Sequence, residues 1–180
     1  MGPGEDSYRR YLDGDETAFD GVIAAYYDSL TFFLCRYVKD RSTAEDLTMD
    51  TLLELLIHPK RYHFKTKLKT YLFAIGRNKA LNALKRSRRL APDELSEAER
   101  AAQTSSPDEE LLRREETREL HRALNDLPSD MRAAVHLIYF EEMSYEEAAH
   151  ALHKSRKQID NLLYRAKTIL KRELSKEDFR

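Results

Sequence analysis

The sequence predicts an all-α protein of two small helical domains joined by a flexible linker, the second domain being a helix-turn-helix. Apolar residues recur at intervals of three and four along most of the 180 residues, which is the spacing of amphipathic helices. No alternating strand pattern of useful length occurs. The five glycines and five prolines are too few for the many turns of a β-sandwich or barrel. The length suits one large domain or two small ones, at roughly 100–150 residues per domain.

The N-terminal domain is predicted over 1–90. Ser42 and Glu45 have the spacing of a capping box, which predicts a helix start at this point, and Pro59 ends the same helix because the residue before a proline disfavours helical geometry. The helices predicted in this domain span residues 18–38, 43–57 and 66–88.

The helical spacing is lost over 91–107, where Pro, Ser, Thr and Gln accumulate, and this composition predicts a flexible linker. The C-terminal domain is predicted over 108–180 and starts with a helix that has leucines on one face. Pro128 opens the next helix, and Ser144 and Ser155 are candidate N-caps for two more.

Several classes of protein are excluded by composition. No apolar run approaches the ~20 residues that span a bilayer, and the N-terminus has no apolar segment typical of a secretory signal. The single Cys35 excludes an internal disulfide and a multi-cysteine zinc site. We therefore expect a cytoplasmic protein that does not insert into a membrane.

The chain also lacks the motifs of a catalytic centre. It has no phosphate-binding Walker loop, no nucleophile elbow and no HExxH zinc motif, so no enzyme, cofactor or metal site is expected. His150 and His153 could ligate a metal, but no third ligand converges near them in the sequence. A pair of surface histidines is the better interpretation.

The net charge of −1 conceals an uneven distribution. Successive segments 1–59, 60–90, 91–120 and 121–180 carry −7, +11, −6 and +1. The block 60–90 contains no acidic residue, and it interleaves its cations with aromatic and aliphatic side chains. A solvated face or a disordered basic tail is one explanation, but this mixture favours nucleic acid, which offers phosphates and base faces together.

The helix over 43–57 has an unusual second face. Its core stripe consists of Leu47, Thr51, Leu52 and Leu55, and the opposite face mixes carboxylates with large apolar side chains. Either a neighbouring helix covers that face, or it binds a partner through acidic steering and apolar anchoring. The residues on it are Asp46, Met49, Asp50, Leu53 and Ile57.

The helix in the basic block places Tyr71, Asn78, Asn82 and Lys85 within about 60° around its axis. Asparagine side chains both donate and accept hydrogen bonds, so this set suits base edges and an unstacked base. The alternative is a polar helix face with a half-buried tyrosine.

The last helix carries a core stripe from Ile159 to Leu170, and Tyr164 lies on the side away from it. A short turn at 153–155 precedes the helix, and the stretch 154–172 contains seven cations against the single Asp160. This arrangement predicts a helix-turn-helix, although a non-specific helical hairpin has the same pattern.

These residues resemble the extracytoplasmic-function sigma factors. The N-terminal match lies in Asp13–Phe19, Ala44–Leu47, Leu68–Leu72 and Ile75–Asn78, and the C-terminal match in Leu127-Pro128, Met143–Ala149 and Tyr164–Lys167. The resemblance covers both domains in order, with a variable linker between them. It implies a non-enzymatic subunit that binds core RNA polymerase, reads the −10 element with its first domain and reads the −35 element with its second.

The resemblance implies a site for each partner. The face of Asp46, Met49, Asp50 and Leu53 would bind core polymerase. Asn78 and Asn82, with Tyr71 beside them, would read the −10 strand. The cations that would hold the −10 backbone are Lys60, Arg61, Lys65, Lys67, Lys69, Arg77 and Lys85.

In the second domain the apolar stripe leaves Lys157, Asp160, Asn161, Tyr164 and Thr168 to face the −35 duplex, with Ser155 and Gln158 at the start of the helix. The residues expected to contact phosphates are Lys154, Arg156, Arg165 and Lys171.

The sequence also departs from the family pattern. Met49-Asp50 replaces the usual Gln-Glu, Tyr71 replaces a tryptophan, Lys157-Gln158 replaces Gly-Thr, and Asp160 replaces a cation. The last two differences mean that no −35 consensus can be transferred to this chain.

Two further expectations concern partners. The family resemblance and the short C-terminus after Lys176 imply control by an anti-sigma factor acting in trans. An autonomous regulator that uses only the helix-turn-helix is the alternative function, and the acidic-apolar face around Asp50 argues against it because a free repressor does not need such a face.

Overall fold

The computed structural model describes residues 2–90 and 115–177, and every regular element in those ranges is helical. The predicted linker, 91–107, and the first residues of the predicted second domain, 108–114, lie outside the described residues. The α-helices are α1 (Pro3–Leu12), α2 (Phe19–Val38), α3 (Arg41–Ile57), α4 (Leu68–Leu90), α5 (Glu115–Asp126), α6 (Ser129–Val135), α7 (Tyr145–Leu152) and α8 (Arg156–Glu177). The all-α fold predicted from the sequence is confirmed.

The start of α3 differs from the prediction. Asp40, not Ser42, is the N-cap: its backbone is extended and its carboxylate accepts a hydrogen bond from the Thr43 amide at 2.7 Å. Ser42 already lies in the first turn, and Glu45 pairs with Arg41 instead of closing a box. The carboxylate of an aspartate that stands one residue before the helix satisfies a free N–H group as well as a serine hydroxyl does.

The N-terminal helices enclose a core rich in aromatic residues. Tyr8 of α1 is fully buried and its hydroxyl donates to the carbonyl of Leu55 on α3. Gly4 lies so close to the Tyr26 ring that a β-carbon there would overlap it. These contacts fix α1 against α2 and α3, and they form one end of the N-terminal bundle.

The C-terminal helices begin with the predicted caps. Ser144 and Glu147 form a reciprocal capping box at α7, and Ser155 and Gln158 exchange the same two hydrogen bonds at α8. Between α6 and α7 the chain makes a turn of π-helix over His136–Phe140.

A single apolar cluster joins the two sets of helices. Helix α4 packs on α7 and α2 packs on α6. Leu30, Phe33 and Phe73 from the N-terminal helices belong to the same buried cluster as Leu137 and Leu152 from the C-terminal helices. The two halves are therefore packed against each other through their cores.

Gly76 lies at a close approach of α4 to α2 within the N-terminal half. A β-carbon on it would lie 3.1 Å from Leu30 and 3.3 Å from Leu34, so α4 approaches α2 closely at this point.

None of the described helices has a stretch that is long and apolar enough to cross a membrane.

Candidate polymerase and promoter interfaces

The mixed face of α3 is exposed in the described part of the chain. Met49, Leu53 and Ile57 have exposed fractions of 40%, 38% and 66%, and Asp46 and Asp50 are exposed beside them. No described helix covers this face, so the interpretation as a covered packing surface is not supported.

The opposite face of α3 is anchored by threonines. Thr51 and Leu52 are buried as predicted and Leu47 is partly buried. Thr48, which was not predicted to be part of this buried face, is fully buried, and its hydroxyl donates to the carbonyl of Ala44 at 2.8 Å. Because threonine is polar, it does not stand out as part of an apolar stripe. The position of Thr48, one turn before the buried Leu52, is consistent with its burial.

Six of the ten predicted −10 residues form an open set at the surface of the N-terminal half. Tyr71 is half-buried, with its ring centroid 5.1 Å from that of Tyr62. Arg61 is exposed and pairs with Glu54 of α3. The remaining residues of this open set are exposed, and they are Lys60, Lys65, Asn82 and Lys85.

The other predicted −10 residues face the C-terminal helices. Lys67 lies 2.7 Å from Glu147, and Arg77 lies 3.5 Å from Asp130. The Asn78 amide nitrogen lies 3.2 Å from Nε2 of His153. These side chains already have partners within the chain, which the sequence analysis did not predict.

Lys69 has the most enclosed of these contacts. Its ammonium lies 2.6 Å from the carboxylate of Glu141 and donates to the Glu141 carbonyl at 2.9 Å. The Glu141 side chain is only 7% exposed, and its other oxygen lies 3.2 Å from Nε2 of His136. The imidazole in turn packs against Phe32, Phe33 and Phe140.

The ionic partners change the acidity of the carboxylates. Burial by itself would raise the pKa of Glu141, but the hydrogen bonds from His136 and Lys69 outweigh it and hold the pKa below its usual value. Burial would likewise raise the pKa of Asp130, but the Lys154 and Arg77 cations outweigh it and lower the pKa. All of these carboxylates stay charged at neutral pH and so remain counter-charges for the cations around them.

The turn before α8 has helix-turn-helix geometry. His153 adopts the left-handed conformation, with φ of 50°, at the position where a glycine is often found. The predicted recognition helix ends later than expected, at Glu177 and not near Lys171. Its core stripe is buried or partly buried, as the spacing predicts.

The face of α8 that points away from the core is open. Tyr164 is 73% exposed, and the other predicted base-facing residues are exposed with it. These residues are Lys157, Asp160, Asn161 and Thr168.

Other predicted −35 residues have internal partners. Gln158 is exposed, but its side-chain oxygen accepts from the Ser155 amide at 2.7 Å, so it caps the helix. Arg156 pairs with Glu146 at 3.2 Å and Lys154 with Asp130 at 2.8 Å. The remaining predicted phosphate contacts, Arg165 and Lys171, are exposed.

Three carboxylates, Asp130, Glu141 and Glu147, were not singled out by the sequence analysis as partners for the basic block. The one available signal was the charge imbalance, since a block of +11 with no acid needs counter-charges from elsewhere. Within the described ranges, no group of three or more His, Cys, Asp or Glu side chains is arranged to hold a metal ion.

Comparison with known proteins identifies the family. The family model for Sigma-70 region 2 matches residues 22–90, and that for Sigma-70 region 4 matches residues 117–170. The ECF RNA polymerase sigma factor SigM of Bacillus subtilis is 28% identical over 154 residues, which are 84% of this chain and 92% of SigM. The RNA polymerase sigma factor CarQ of Myxococcus xanthus is 32% identical over 140 residues, 77% of this chain and 78% of CarQ. The chain belongs to the extracytoplasmic-function sigma factors.

This sigma factor also shares its fold with solved structures. The sigma factor RpoE of Bartonella quintana, in complex with the anti-sigma factor NepR, superposes with a TM-score of 0.73 at 24% identity, covering 87% of this chain and 96% of RpoE. As a member of its family, the chain is a sigma subunit that directs promoter-specific initiation by RNA polymerase. The alternative of an autonomous regulator gains no support from these relatives.

Proposed function

We propose that this sigma factor binds core RNA polymerase through the exposed face of α3, formed by Asp46, Met49, Asp50 and Leu53. The observation that carries the proposal is the exposure of large apolar side chains beside free carboxylates on a helix whose other face is anchored in the core. Such a surface is unfavourable in water and suits a partner that covers the apolar part and pairs with the acids.

The −10 element is assigned to α4 and the loop before it. Asn78 and Asn82 read bases of the melted strand, with Tyr71 beside them, while the surrounding cations hold the phosphates. Opening a base step costs a few kcal/mol, and binding of the extruded base and the backbone offsets that cost. The exposure of Asn82 and Lys85 on one side of α4 supports this assignment.

The −35 element is assigned to α8, with its N-terminal half in the major groove. Asn161 suits a bidentate pair with adenine, and Tyr164 suits a thymine methyl group or the sugar edge. Asp160 either accepts from a cytosine amino group or caps Lys157, since Arg156, the other neighbouring cation, pairs with Glu146. Arg165 and Lys171 contact phosphates and set affinity.

The domain boundaries follow the same division of roles. Residues 1–90 form the polymerase and −10 domain, 91–107 the linker, and 108–180 the −35 domain. Its proposed role is that of a non-enzymatic subunit without a cofactor of its own, and it acts in the cytoplasm, where polymerase and promoter DNA are found.

An anti-sigma factor is the third partner. This proposal is supported by RpoE, which has the same fold and whose structure was solved in complex with the anti-sigma factor NepR. In this chain such a partner would hold the sigma factor away from polymerase until a signal releases it. Affinity purification from the native cell under non-inducing conditions should therefore recover a regulatory protein as well as polymerase subunits, and recovery of polymerase subunits alone would contradict it.

Run-off transcription with purified core enzyme on genomic templates tests the proposed function. We expect discrete start sites only when the sigma factor is added, and weak binding of duplex promoter when core enzyme is left out. Tight, sequence-specific binding by the sigma factor alone, with no effect on transcription by core enzyme, would instead favour the autonomous regulator.

A further inference from the structure

The loop that precedes α4, residues 58–67, is packed against α1 through its aromatic side chains. Tyr62 is only 4% exposed. Its ring centroid lies 5.9 Å from that of Tyr8 on α1 and 4.5 Å from that of Phe64. The Tyr62 hydroxyl donates to the carbonyl of Thr66 at 2.7 Å. The conformation of the loop therefore depends on a helix that carries none of the residues assigned above to the −10 element.

The packing of the rings decides which side chains of the loop are open to a ligand. Tyr62 is buried and Phe64 is half-buried, whereas His63 and Lys65, which alternate with them, are exposed. Lys65 is among the cations proposed to hold the −10 backbone. Because the rings are held on the inner side of the loop, this cation is left on the outer side.

Phe64 is the strained position of the loop. Its backbone is left-handed, with φ of 55°, which is unfavourable for a bulky residue and persists only where the surrounding structure imposes it. The guanidinium carbon of Arg9 on α1 lies 4.1 Å from the centroid of the Phe64 ring, which is a cation–π distance. Arg9 therefore contacts the one residue of the loop whose conformation has to be imposed from outside.

Glu5 restrains the Arg9 side chain from one helical turn away. Its carboxylate lies 3.5 Å from the Arg9 guanidinium, and the Glu5 side chain is only 10% exposed. Pairs four residues apart on a helix lie side by side, so the carboxylate limits the directions in which the guanidinium can point. Glu5 also lies near Tyr62, whose pKa is raised first by burial and then by the Glu5 charge.

Helix α1 is itself held firmly in the N-terminal bundle. The Tyr8 hydroxyl donates to the carbonyl of Leu55 on α3 at 3.2 Å. The ring centroids of Tyr11 and Phe19 on α2 are 5.2 Å apart. Arg9 lies between these two anchor points in the sequence, so it projects from a part of the helix that is fixed to both neighbouring helices.

We propose that Arg9, oriented by Glu5, is a positioning residue for the −10 element: it holds Phe64 and thereby keeps the loop 58–67 in the shape that receives the extruded base. This inference rests on the proposed −10 role of the loop. Arg9 acts through Phe64 and not through a contact of its own with DNA. Without Arg9 the loop keeps its cations but loses its fixed conformation, so binding of the promoter has to order the loop as well.

Hydrogen exchange of the free protein measures the hold on the loop without DNA. In Arg9→Ala, amides of the loop 58–67 should exchange about fivefold faster than in wild type, because the local opening becomes easier, and those in the middle of α4 should keep their rates. Arg10→Ala is the matched control, since Arg10 is the neighbouring exposed cation and pairs with Asp15. Its loop should exchange as in wild type.

The second measurement is base extrusion by the holoenzyme. The probe is a promoter from a start site found by run-off transcription, with a single-stranded −10 region that carries 2-aminopurine, which brightens when its base unstacks. Arg9→Ala should weaken the binding that gives this signal about five- to tenfold, with wild-type affinity for core enzyme. Arg9→Lys, which can still place a cation over the ring, should recover part of the loss, and Arg10→Ala should remain within about twofold of wild type.

A double-variant cycle separates positioning from a direct contact of Arg9 with DNA. Phe64→Leu keeps an apolar side chain but removes the ring face. If Arg9 acts through Phe64, Arg9→Ala should cost less than about twofold in the Phe64→Leu background, because the two effects are coupled. An undiminished loss in that background would show that Arg9 contacts DNA itself, and it would overturn the proposal.

The remaining outcomes distinguish the positioning role from the site assignment. Asn82→Ala should reduce the fluorescence signal without changing loop exchange, so it reports on the −10 assignment by itself. Unchanged loop exchange in Arg9→Ala would overturn the positioning role and leave the −10 assignment intact. Faster loop exchange with a wild-type fluorescence signal would show that the loop does not receive the base, and it would overturn both the −10 role of the loop and the role of Arg9.

Discussion

The hydroxyl of Thr31 on α2 donates to the hydroxyl of Thr48 on α3 at 2.9 Å, and both side chains are buried. The Thr48 hydroxyl in turn donates a hydrogen bond to the carbonyl of Ala44. This chain of hydrogen bonds fixes the rotation of α3 about its axis, and that rotation turns the Met49 and Asp50 face to the solvent.

Thr48→Val should destabilise the protein by about 1–3 kcal/mol, because the Thr31 hydroxyl is left buried without an acceptor. The double variant Thr31→Val/Thr48→Val should recover most of this loss, since replacement of both partners leaves no unpaired group. Urea unfolding of the two single variants and the double variant measures the coupling. Strictly additive effects would contradict a direct interaction.

Asp50→Lys combined with Met49→Glu should weaken binding to core polymerase while leaving the helical content unchanged, since both side chains are exposed and contribute little to the fold. A pull-down with core enzyme measures the affinity, and circular dichroism checks the fold. Asp20→Lys, on an exposed position of α2, is the control for the added charge. Wild-type affinity in the double variant would remove α3 from the polymerase interface.

Asn78→Ala and Asn82→Ala should each cost about 1–3 kcal/mol of base discrimination at the −10 element. Formation of the open complex should fall much more than polymerase binding. In the free protein, Asn78→Ala should also remove a contact between the halves, since Asn78 lies against His153. Asn82 has no such hydrogen bond among the residues that the structure describes. Permanganate footprints of the melted region that look like wild type in both variants would contradict the assignment.

Lys171→Ala should weaken binding to all −35 sequences alike and reduce the salt dependence by about one counterion. Asn161→Ala and Asp160→Ala should instead change which −35 sequence is preferred. Selection from a randomised −35 library, carried out with the holoenzyme, separates the two behaviours. Identical preferences for wild type, Asn161→Ala and Tyr164→Ala would rule out the proposed orientation of α8.

The contact between the halves should weaken in acid. The folded-state pKa of Glu141 is below its ordinary value of 4.5, so its stabilising effect is complete above that value and is lost as the pH falls through the lowered pKa. Between pH 6 and pH 3, wild type should therefore lose more thermal stability than Glu141→Gln does. The stability of each protein is compared with its own value at pH 6. Parallel pH profiles for the two proteins would contradict this role of Glu141.

The sequence determined most of the helices and the faces that they bury, although α1 (Pro3–Leu12) was not predicted. Helical periodicity, which depends only on residues three and four apart, correctly predicted the apolar stripe of α8 and the exposure of Tyr164. The caps at Ser144 and Ser155 were also predictable, because a cap is a contact between residues three apart. Even here the local signal was ambiguous at α3, where Asp40 and Ser42 compete for the same free amides and the extended backbone of Asp40 decides between them.

Only the tertiary structure decided which cations are free. Lys69 and Glu141 are 72 residues apart in the chain, and Arg77 and Asp130 are 53 apart. Periodicity shows that a helix has a polar face but does not show which other helix lies against it. The basic block could therefore be recognised as a charged surface from its sequence, while the division of its cations between internal carboxylates and open solvent followed from the packing of α4 on α7.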